Sequence, residues 1–413
     1  MVLQISIVIP TFNGAAYITS SMTSILCQDG NYHVHIHIQD GGSTDDTIQI
    51  AKEAFKLCNQ LAGYQRTCSF SSQITEDNSV YDAISKGFDN IPPSSTDIMT
   101  WLGADDMLNN CSLSTVSNIF SQMPDVDWVT GDKQMFSRDT GSLTHTNIGN
   151  NGFSTFTLEN GWNDGRTYGF IQQEGSFWRR SLWDRVGGLD PSYTLAGDWD
   201  LWRRFSKHSR LYKIENIALG MFGIRKGQLS EKINLYYDEI GPVKRYSLSD
   251  CQNLTKRGII NSEFNQQSLL IKSSHQAGWR KAKNRYEPCI RPSYGLPIAF
   301  TDLDTTPCER WAQNKNIELI AATSSDGEYY LILGYQNKIE NLNVTVNTND
   351  HSGHKVFKSY AYSEDFTEDF HIIPLSITQE HINVSMTFNK VPFLKDGEHG
   401  LLFNSFILIP KAD

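Results

Sequence analysis

The feature that most restricts the fold is a hydrophobic period that alternates between strand-like and helix-like over residues 5–58. Residues 5–9 (Ile-Ser-Ile-Val-Ile) are a β-branched run closed by Pro10, which reads as a buried strand. After a turn at 11–14 (Thr-Phe-Asn-Gly), Ile18, Met22, Ile25 and Leu26 fall at helical spacing. Val34, Ile36 and Ile38 then alternate with His33, His35 and His37 in a period-two strand ending at Asp40. The turn at 41–46 (Gly-Gly-Ser-Thr-Asp-Asp) leads into a helix with Ile48, Ala51, Phe55 and Cys58 on one face. This β-α-β-α order implies a mostly parallel sheet with helices on both sides.

At 413 residues the chain exceeds one ordinary core, so two domains and a connector are expected. A formal charge of −10 argues against a general nucleic-acid binder, whose affinity rests on Lys and Arg neutralising phosphates. Nowhere do about eighteen apolar residues run together, as a membrane span requires. The N-terminus starts on strand-like sequence without a basic signal-peptide region. Seven cysteines are scattered without a Cys-x-x-Cys pair, which favours reduced thiols in a cytoplasm over a disulfide framework.

Chemistry concentrates at residues 97–108. The apolar run 98–102 ends on Gly103 and Ala104, followed by two adjacent carboxylates, Asp105 and Asp106. Open α/β sheets bind ligands outside the carboxyl ends of their strands. Hard oxygen ligands with room for phosphate suit Mg²⁺ or Mn²⁺; the plain alternative is an acidic turn with an aspartate capping a helix. Asp40 ends the second strand before a glycine-rich turn, where a carboxylate can meet a nucleoside. Neither GxGxxG nor GxxxxGK[ST] occurs. The three histidines form either a zinc-chelating strand face, lacking an evident further ligand, or simply the alternate face of the strand.

Four segments together resemble the family 2 glycosyltransferases of GT-A fold, in particular bacterial polysaccharide and O-antigen types: residues 5–14, 39–47, 80–87 (Val-Tyr-Asp-Ala-Ile-Ser-Lys-Gly) and 102–106. The resemblance covers about residues 3 to 230. It implies an α/β, Rossmann-like, mostly parallel N-terminal domain. It implies a nucleotide-sugar donor held by Thr11, Asn13, Asp40, Asp82, Lys86, Ala104, Asp105 and Arg225. Mn²⁺ or Mg²⁺ would sit on Asp105 and Asp106. The family's Asp-x-Asp falls on residues 103–105, so Gly103 replaces its leading carboxylate. Residues 172–180, 186–190 and 195–202 match the family's acceptor side. Asp198 then takes the place of the catalytic base, with Glu174, Trp178, Trp199 and Asp200 around the acceptor. Gly197 stands where the family carries Glu, and Arg225 where it usually carries His.

The remaining chain is read from its residues. Residues 126–132 form another strand ending at Asp132, and 147–168, rich in Gly, Asn and Ser with Trp162 and Tyr168, reads as a polar acceptor loop. Residues 231–285 turn helical and polar, and the basic cluster at 278–286 is either a contact with an anionic membrane or a solvated linker helix. Short β-prone runs at 317–322, 329–335, 342–346, 371–373, 382–388 and 401–409 suggest a β-sandwich. The expected domains are therefore 1–230 (transferase), 231–287 (helical linker) and 288–413 (an all-β sandwich for carbohydrate binding or interaction). The expected activity is inverting, metal-dependent transfer from a nucleotide-sugar, a UDP-sugar by family pattern, to a glycan or lipid-linked acceptor at the cytoplasmic face of the inner membrane. A nucleotidyltransferase would carry a basic glycine-rich loop after strand one, and residues 11–14 contain no Arg or Lys. The other rival is a non-catalytic glycan-binding protein with a decayed transferase domain, motivated by Gly103 and Gly197.

Overall fold

The computed structural model describes residues 2–28, 30–61, 67–92, 98–147, 153, 155–215 and 217–256, and beyond 256 chiefly the residues of β-strands. The chain divides into two compact units. The first takes Met1–Asn150, Ile171–Pro242 and Leu269–Ile290; the second takes Asn151–Phe170, Val243–Ser268 and Arg291–Asp413.

The first unit opens with the alternation read from the sequence: β1 Leu3–Thr11, α1 Ile18–Leu26, β2 Tyr32–Asp40, α2 Thr47–Leu61, β3 Thr67–Ile74, α3 Val80–Asp89 and β4 Ile98–Trp101. β1 pairs in parallel with β2 and β4, and β2 with β3. The register places Thr11 opposite Asp40 and Val8 opposite Trp101. The Leu102 N–H still donates to the Val8 carbonyl at 3.0 Å. β1 and β2 therefore finish level, whereas β4 stops three residues short of the end of β1 and its following loop runs on beside that end. Beneath them Ile5, Ile7, Ile9, Val34, Ile36 and Ile38 are fully buried, each worth about 1.5–3 kcal/mol of apolar burial.

The chain continues through β5 Met107–Leu108, α4 Ser112–Gln122, β6 Trp128–Thr130, β7 Lys133–Ser137, β8 Leu143–Asn147, β9 Phe177–Arg179, β10 Leu211–Glu215 and β11 Gly220–Ile224. In the main sheet β9 inserts antiparallel between β4 and β6, while β10 pairs in parallel with β6. β5, β11, β7 and β8 make a small second sheet. An aromatic layer anchors the helix Gly197–Ser206 to the main sheet. The Trp202 ring stacks on Trp101 at 6.0 Å and on Trp128 at 5.5 Å, and Trp178 meets Trp101 at 5.2 Å and Trp183 at 6.1 Å.

The histidine face of β2 is a hydrogen-bonded ladder with β3. Ser69 Oγ bridges His33 Nε2 at 2.9 Å and His35 Nδ1 at 2.7 Å; Ser71 Oγ bridges His35 Nε2 at 2.9 Å and His37 Nδ1 at 2.8 Å. His37 Nε2 then meets Gln39 Oε1 at 3.3 Å. The imidazoles are taken up by hydroxyls, and no cluster of His, Cys, Asp and Glu among the described residues could hold a metal by itself.

The second unit carries two antiparallel sheets of five strands each. Their strands include Asn316–Ala322, Gly327–Asn337, Leu342–Thr348, Asp369–Ile377, His381–Phe388 and Leu401–Pro410, which contain every β-prone run read from the sequence. The strand His351–Ser359 was not among those runs. Residues 155–170 depart from the polar acceptor loop expected there. They contain the helix Thr155–Glu159 and belong to this unit, with Trp162 fully buried and its Nε1–H donating to the Lys244 carbonyl at 2.8 Å. Tyr168 is also buried and its hydroxyl donates to the Leu408 carbonyl. The stretch expected as a helical linker holds the helices Ile233–Ile240 and Leu248–Lys256, then the strands Leu269–Lys272, Trp279–Ala282 and Arg285–Pro288. The last two pair with each other in antiparallel fashion; the side chains of the basic cluster at 278–286 lie outside the described residues. Among the described residues no helix is long and apolar enough to cross a membrane.

Candidate active site

The neighbouring carboxyl ends of β1, β2 and β4 bring together the turns that follow them. Gly14 is required where the first and third meet: a Cβ there would lie 2.5 Å from Thr11 Oγ1 and 3.4 Å from Ala104 Cβ. Thr11 Oγ1 is buried with no hydrogen-bond partner among the described residues. Asp40 is fully buried, and its carboxylate braces its own loop. Oδ2 accepts from the Gly42 and Ser43 N–H groups at 3.2 and 2.8 Å, and Oδ1 accepts from Ser43 Oγ at 2.5 Å. Asn13, at φ 50°, adds a second brace, its Oδ1 accepting from the Thr44 N–H at 2.9 Å. Phe12, unassigned from the sequence, is 65% exposed beside Gly41 and offers a free aromatic face.

Asp82 and Lys86 form an ion pair on one face of α3, Nζ to Oδ2 2.9 Å, and Lys86 also donates to the Glu76 carbonyl. Asp77 is the group of this segment that reaches the Asp40 loop: its Oδ2 would lie 2.5 Å from a Cβ at Gly41. Burial, then the nearby Asp82 charge, raises its pKa.

At the end of β4, Asp105 is held by two arginines that had no sequence signal as a pair. Arg225 Nε donates to its Oδ2 at 2.5 Å, and Arg138 Nε donates to its backbone carbonyl at 2.5 Å. Both guanidinium groups lie over the Tyr17 ring, 5.1 Å and 5.5 Å from its centroid. Asp106 is 5% exposed, and its Oδ1 accepts from the Gly223 N–H at 2.8 Å. Burial raises the Asp106 pKa well above the carboxylate range, with Glu174 and Asp105 adding repulsion. Glu174 is buried too, and burial pushes it to about 7 with help from the Asp198 charge. Gly103 leaves the space for this packing: a Cβ there would sit 2.3 Å from Asp106 Oδ2 and 3.0 Å from Asp105 Oδ1.

Asp198 stands in the first turn of the helix Gly197–Ser206 and is partly exposed. Its Oδ1 accepts from the Tyr81 hydroxyl at 2.9 Å and from the Trp199 N–H at 2.8 Å. Burial raises its pKa, and those two hydrogen bonds pull it back. The helix has no side-chain cap of its own. Glu239, from the helix Ile233–Ile240, instead braces the loop that leads into it: Oε1 accepts from the Thr194 N–H and hydroxyl at 2.6 and 2.8 Å, and Oε2 from the Leu195 and Ala196 N–H groups at 2.8 and 2.7 Å. Ala196, Trp199 and Tyr236 form an apolar cluster across the same contact. Gly197 is closed from the other side, since a Cβ would fall 2.6 Å from the Tyr81 ring.

Two residues expected around the acceptor lie in the interior. Trp178 is fully buried at the centre of the aromatic layer, because β9 points it into the sheet–helix interior. Asp200 is 8% exposed and binds Arg204 Nε at 2.7 Å; Arg204 in turn donates to the Val186 and Gly188 carbonyls. Trp199 is 9% exposed with Arg203 stacked 4.4 Å from its ring centroid. Glu174 does face the other carboxylates, so Asp105, Asp106, Glu174 and Asp198 form one electrostatically linked series.

A mainly parallel α/β unit with acidic groups gathered at its strand ends has the arrangement in which open α/β sheets bind their ligands. Residues 4–212 match the model of the glycosyltransferase like family 2, and the chain belongs to that family. Curated relatives named PGL/p-HBAD biosynthesis glycosyltransferase, from Mycobacterium bovis BCG and Mycobacterium tuberculosis H37Ra, are each 31% identical over 198 residues. These matches cover 47% of this chain, which spans 66% of the relatives' length. Among solved structures, TarS residues 1–349 of S. aureus aligns with a TM-score of 0.41 at 16% identity, covering 59% of this chain and 67% of that one. The mannosyltransferase PcManGT of Pyrobaculum calidifontis, solved with GDP-Man and Mn²⁺, aligns with a TM-score of 0.40 at 16% identity, covering 56% of this chain and 60% of that one.

Proposed function

We propose that the first unit catalyses inverting transfer of one sugar from a nucleoside diphosphate sugar, a UDP-sugar, to a hydroxyl of a glycan or lipid-linked saccharide. The observation that carries the reading is the carboxylate series itself, with Asp198 fixed at one end and the Asp105–Asp106 pair at the other. Asp198 takes the proton of the acceptor hydroxyl as that oxygen bonds to the anomeric carbon. The bond from that carbon to the diphosphate breaks, leaving its electron pair on the phosphate oxygen. Arg225 and Arg138 stand where that charge develops, and a forked guanidinium suits it.

The residues fit a divalent cation of Mn²⁺ or Mg²⁺ type. Asp106 is a buried carboxylate facing two other acids without a full complement of cationic partners, and hard oxygen donors plus phosphate are what such ions take. Asp105 and Asp106 would hold it, and when bound it supplies Lewis-acid stabilisation of the departing diphosphate. Thr11, Asn13 and Asp40 border the nucleoside, with Phe12 offering a stacking face. The Asp40 loop takes three of the roughly four acceptor sites of that carboxylate, so a base N–H would meet the remaining one on Oδ1. Cell-surface polysaccharide synthesis of O-antigen type, at the cytoplasmic face of the inner membrane, is the setting this chemistry suits. The second unit would bind glycan or another partner.

The test is turnover. UDP- and GDP-sugars are screened with glycan and lipid-linked acceptors, using wild type, Asp198→Asn and Asp105→Ala. Transfer by wild type that both variants lose by at least about 10²-fold is expected. Glycan binding without turnover in wild type, unchanged in Asp198→Asn, would establish the rival reading that Gly103 and Gly197 motivate.

A further inference from the structure

Asp105 is not an open carboxylate. Its Oδ2 is occupied by Arg225, its carbonyl by Arg138, and the two guanidinium groups share the Tyr17 ring as a shelf. A divalent cation approaching alone can share both carboxylate oxygens only by displacing Arg225 from Oδ2, and otherwise binds Oδ1 beside two positive charges. A nucleoside diphosphate changes that sign, because it offers Arg225 an alternative anion of higher charge. The Arg225 side chain is 30% exposed, so it can turn outward while keeping the aromatic face beneath it. Arg138 is the more fixed of the pair, its Nη1 donating to Ser20 Oγ at 2.6 Å while Phe136 packs 4.9 Å from its guanidinium carbon. Its Nη2 is buried with no hydrogen-bond partner among the described residues, a donor that a phosphate oxygen would satisfy.

We propose that Arg225 is a latch on Asp105, opened by the donor diphosphate, so that cation and nucleotide each strengthen the other's binding. This rests on the donor-site reading given above and adds a regulation of that site. A latch of this kind is a coupling free energy between two ligands, and it is reciprocal. Asp105 receives the cation only when Arg225 has the diphosphate to hold. The cost of an empty site is small, since Arg225 and Asp105 neutralise each other in the absence of ligand.

The test is a calorimetric titration of Mn²⁺ into wild type, Arg225→Gln and Arg225→Lys, each with and without saturating UDP. In wild type, UDP should tighten Mn²⁺ binding roughly tenfold or more. Arg225→Gln should bind Mn²⁺ alone several-fold more tightly than wild type, and the effect of UDP should shrink below about threefold. Arg225→Lys keeps the charge, so Mn²⁺ alone should stay weak; this variant also guards against a trivial loss of fold. Equal Mn²⁺ affinity of wild type and Arg225→Gln without nucleotide would overturn the latch while leaving the donor site standing. So would an Arg225→Lys that behaves like Arg225→Gln. If wild type binds neither Mn²⁺ nor UDP in any combination, the donor-site reading itself falls, and the latch with it.

Discussion

The Tyr81 hydroxyl donates to Asp198 Oδ1 across 2.9 Å, joining α3 to the helix that carries the proposed base, 117 residues away in the chain. The same hydroxyl also reaches the Leu195 carbonyl at 3.1 Å. It therefore fixes both the side chain of Asp198 and the loop that presents it.

Tyr81→Phe removes that donor and leaves the ring. The hydrogen bond stabilises the ionised Asp198, so its loss raises the Asp198 pKa further above the usual range. Activity needs the carboxylate, and it is lost as pH falls through that pKa. The acid limb of kcat/KM against pH should therefore move to higher pH, with UDP affinity unchanged. An unmoved limb would remove Tyr81 from the positioning of the base.

Glu239→Ala should cost about 1–2 kcal/mol of stability, as the loss of a charged acceptor for several backbone N–H groups does. It should also lower kcat more than it changes the donor KM, because the loop it holds is the one leading into Asp198. Hydrogen bonds from the 194–196 segment outweigh partial burial and lower the Glu239 pKa. Its contribution is therefore present above the unfolded glutamate pKa and lost as pH falls through the lower folded value. Glu239→Gln, which keeps one acceptor oxygen, should recover part of both effects.

Asp200→Asn separates the two aspartates of the helix. Asp200 anchors Arg204, which holds two backbone carbonyls, so its loss should lower Tm by several degrees. The folded fraction should retain kcat within a few-fold, in contrast to Asp198→Asn. A collapse of kcat at unchanged Tm would return Asp200 to the acceptor site.

The histidine ladder predicts a pH-dependent stability. Burial lowers the pKa of His35 and of His37, and neighbouring imidazoles lower His35 further. The unfolded chain takes up protons near pH 6.5 while the folded chain still resists them. Stability is thus complete above about pH 6.5 and falls as the solution is acidified toward the folded values. Thermal unfolding from pH 7.5 to 5.5 should show this slope, and the double variant His35→Asn/His37→Asn should flatten it. An equally steep slope in the double variant would place the proton uptake elsewhere.

Much of the first unit was legible because its signals are local. The β-branched run at 5–9, the alternation before Asp40 and the glycine-acid turn after β4 each fix an element without help from distant residues. The inward direction of Trp178 is not legible, because three residues of strand carry too little pattern to show which way an inserted antiparallel β9 points its side chains. The Glu239 brace is not legible either, since its partners lie 43 to 45 residues away and no local pattern marks them. Tyr81 lies within the segment 80–87, yet its contact with Asp198 joins two segments that only the fold brings together. The association of residues 155–170 with the second unit likewise depends on buried partners such as Leu408, hundreds of residues on.

The fit of Gly197 against the Tyr81 ring also bears on the history open to this sequence. A side chain at 197 needs the ring to move first, and a smaller residue at 81 gives up the hydroxyl that steadies Asp198. Neither substitution is free while the other position is unchanged. A lineage that has reached this pairing can place an acid at 197 only through an intermediate impaired at one place or the other. The two positions should therefore change together or not at all, and reconstructed single-step intermediates should be less fit than either end point.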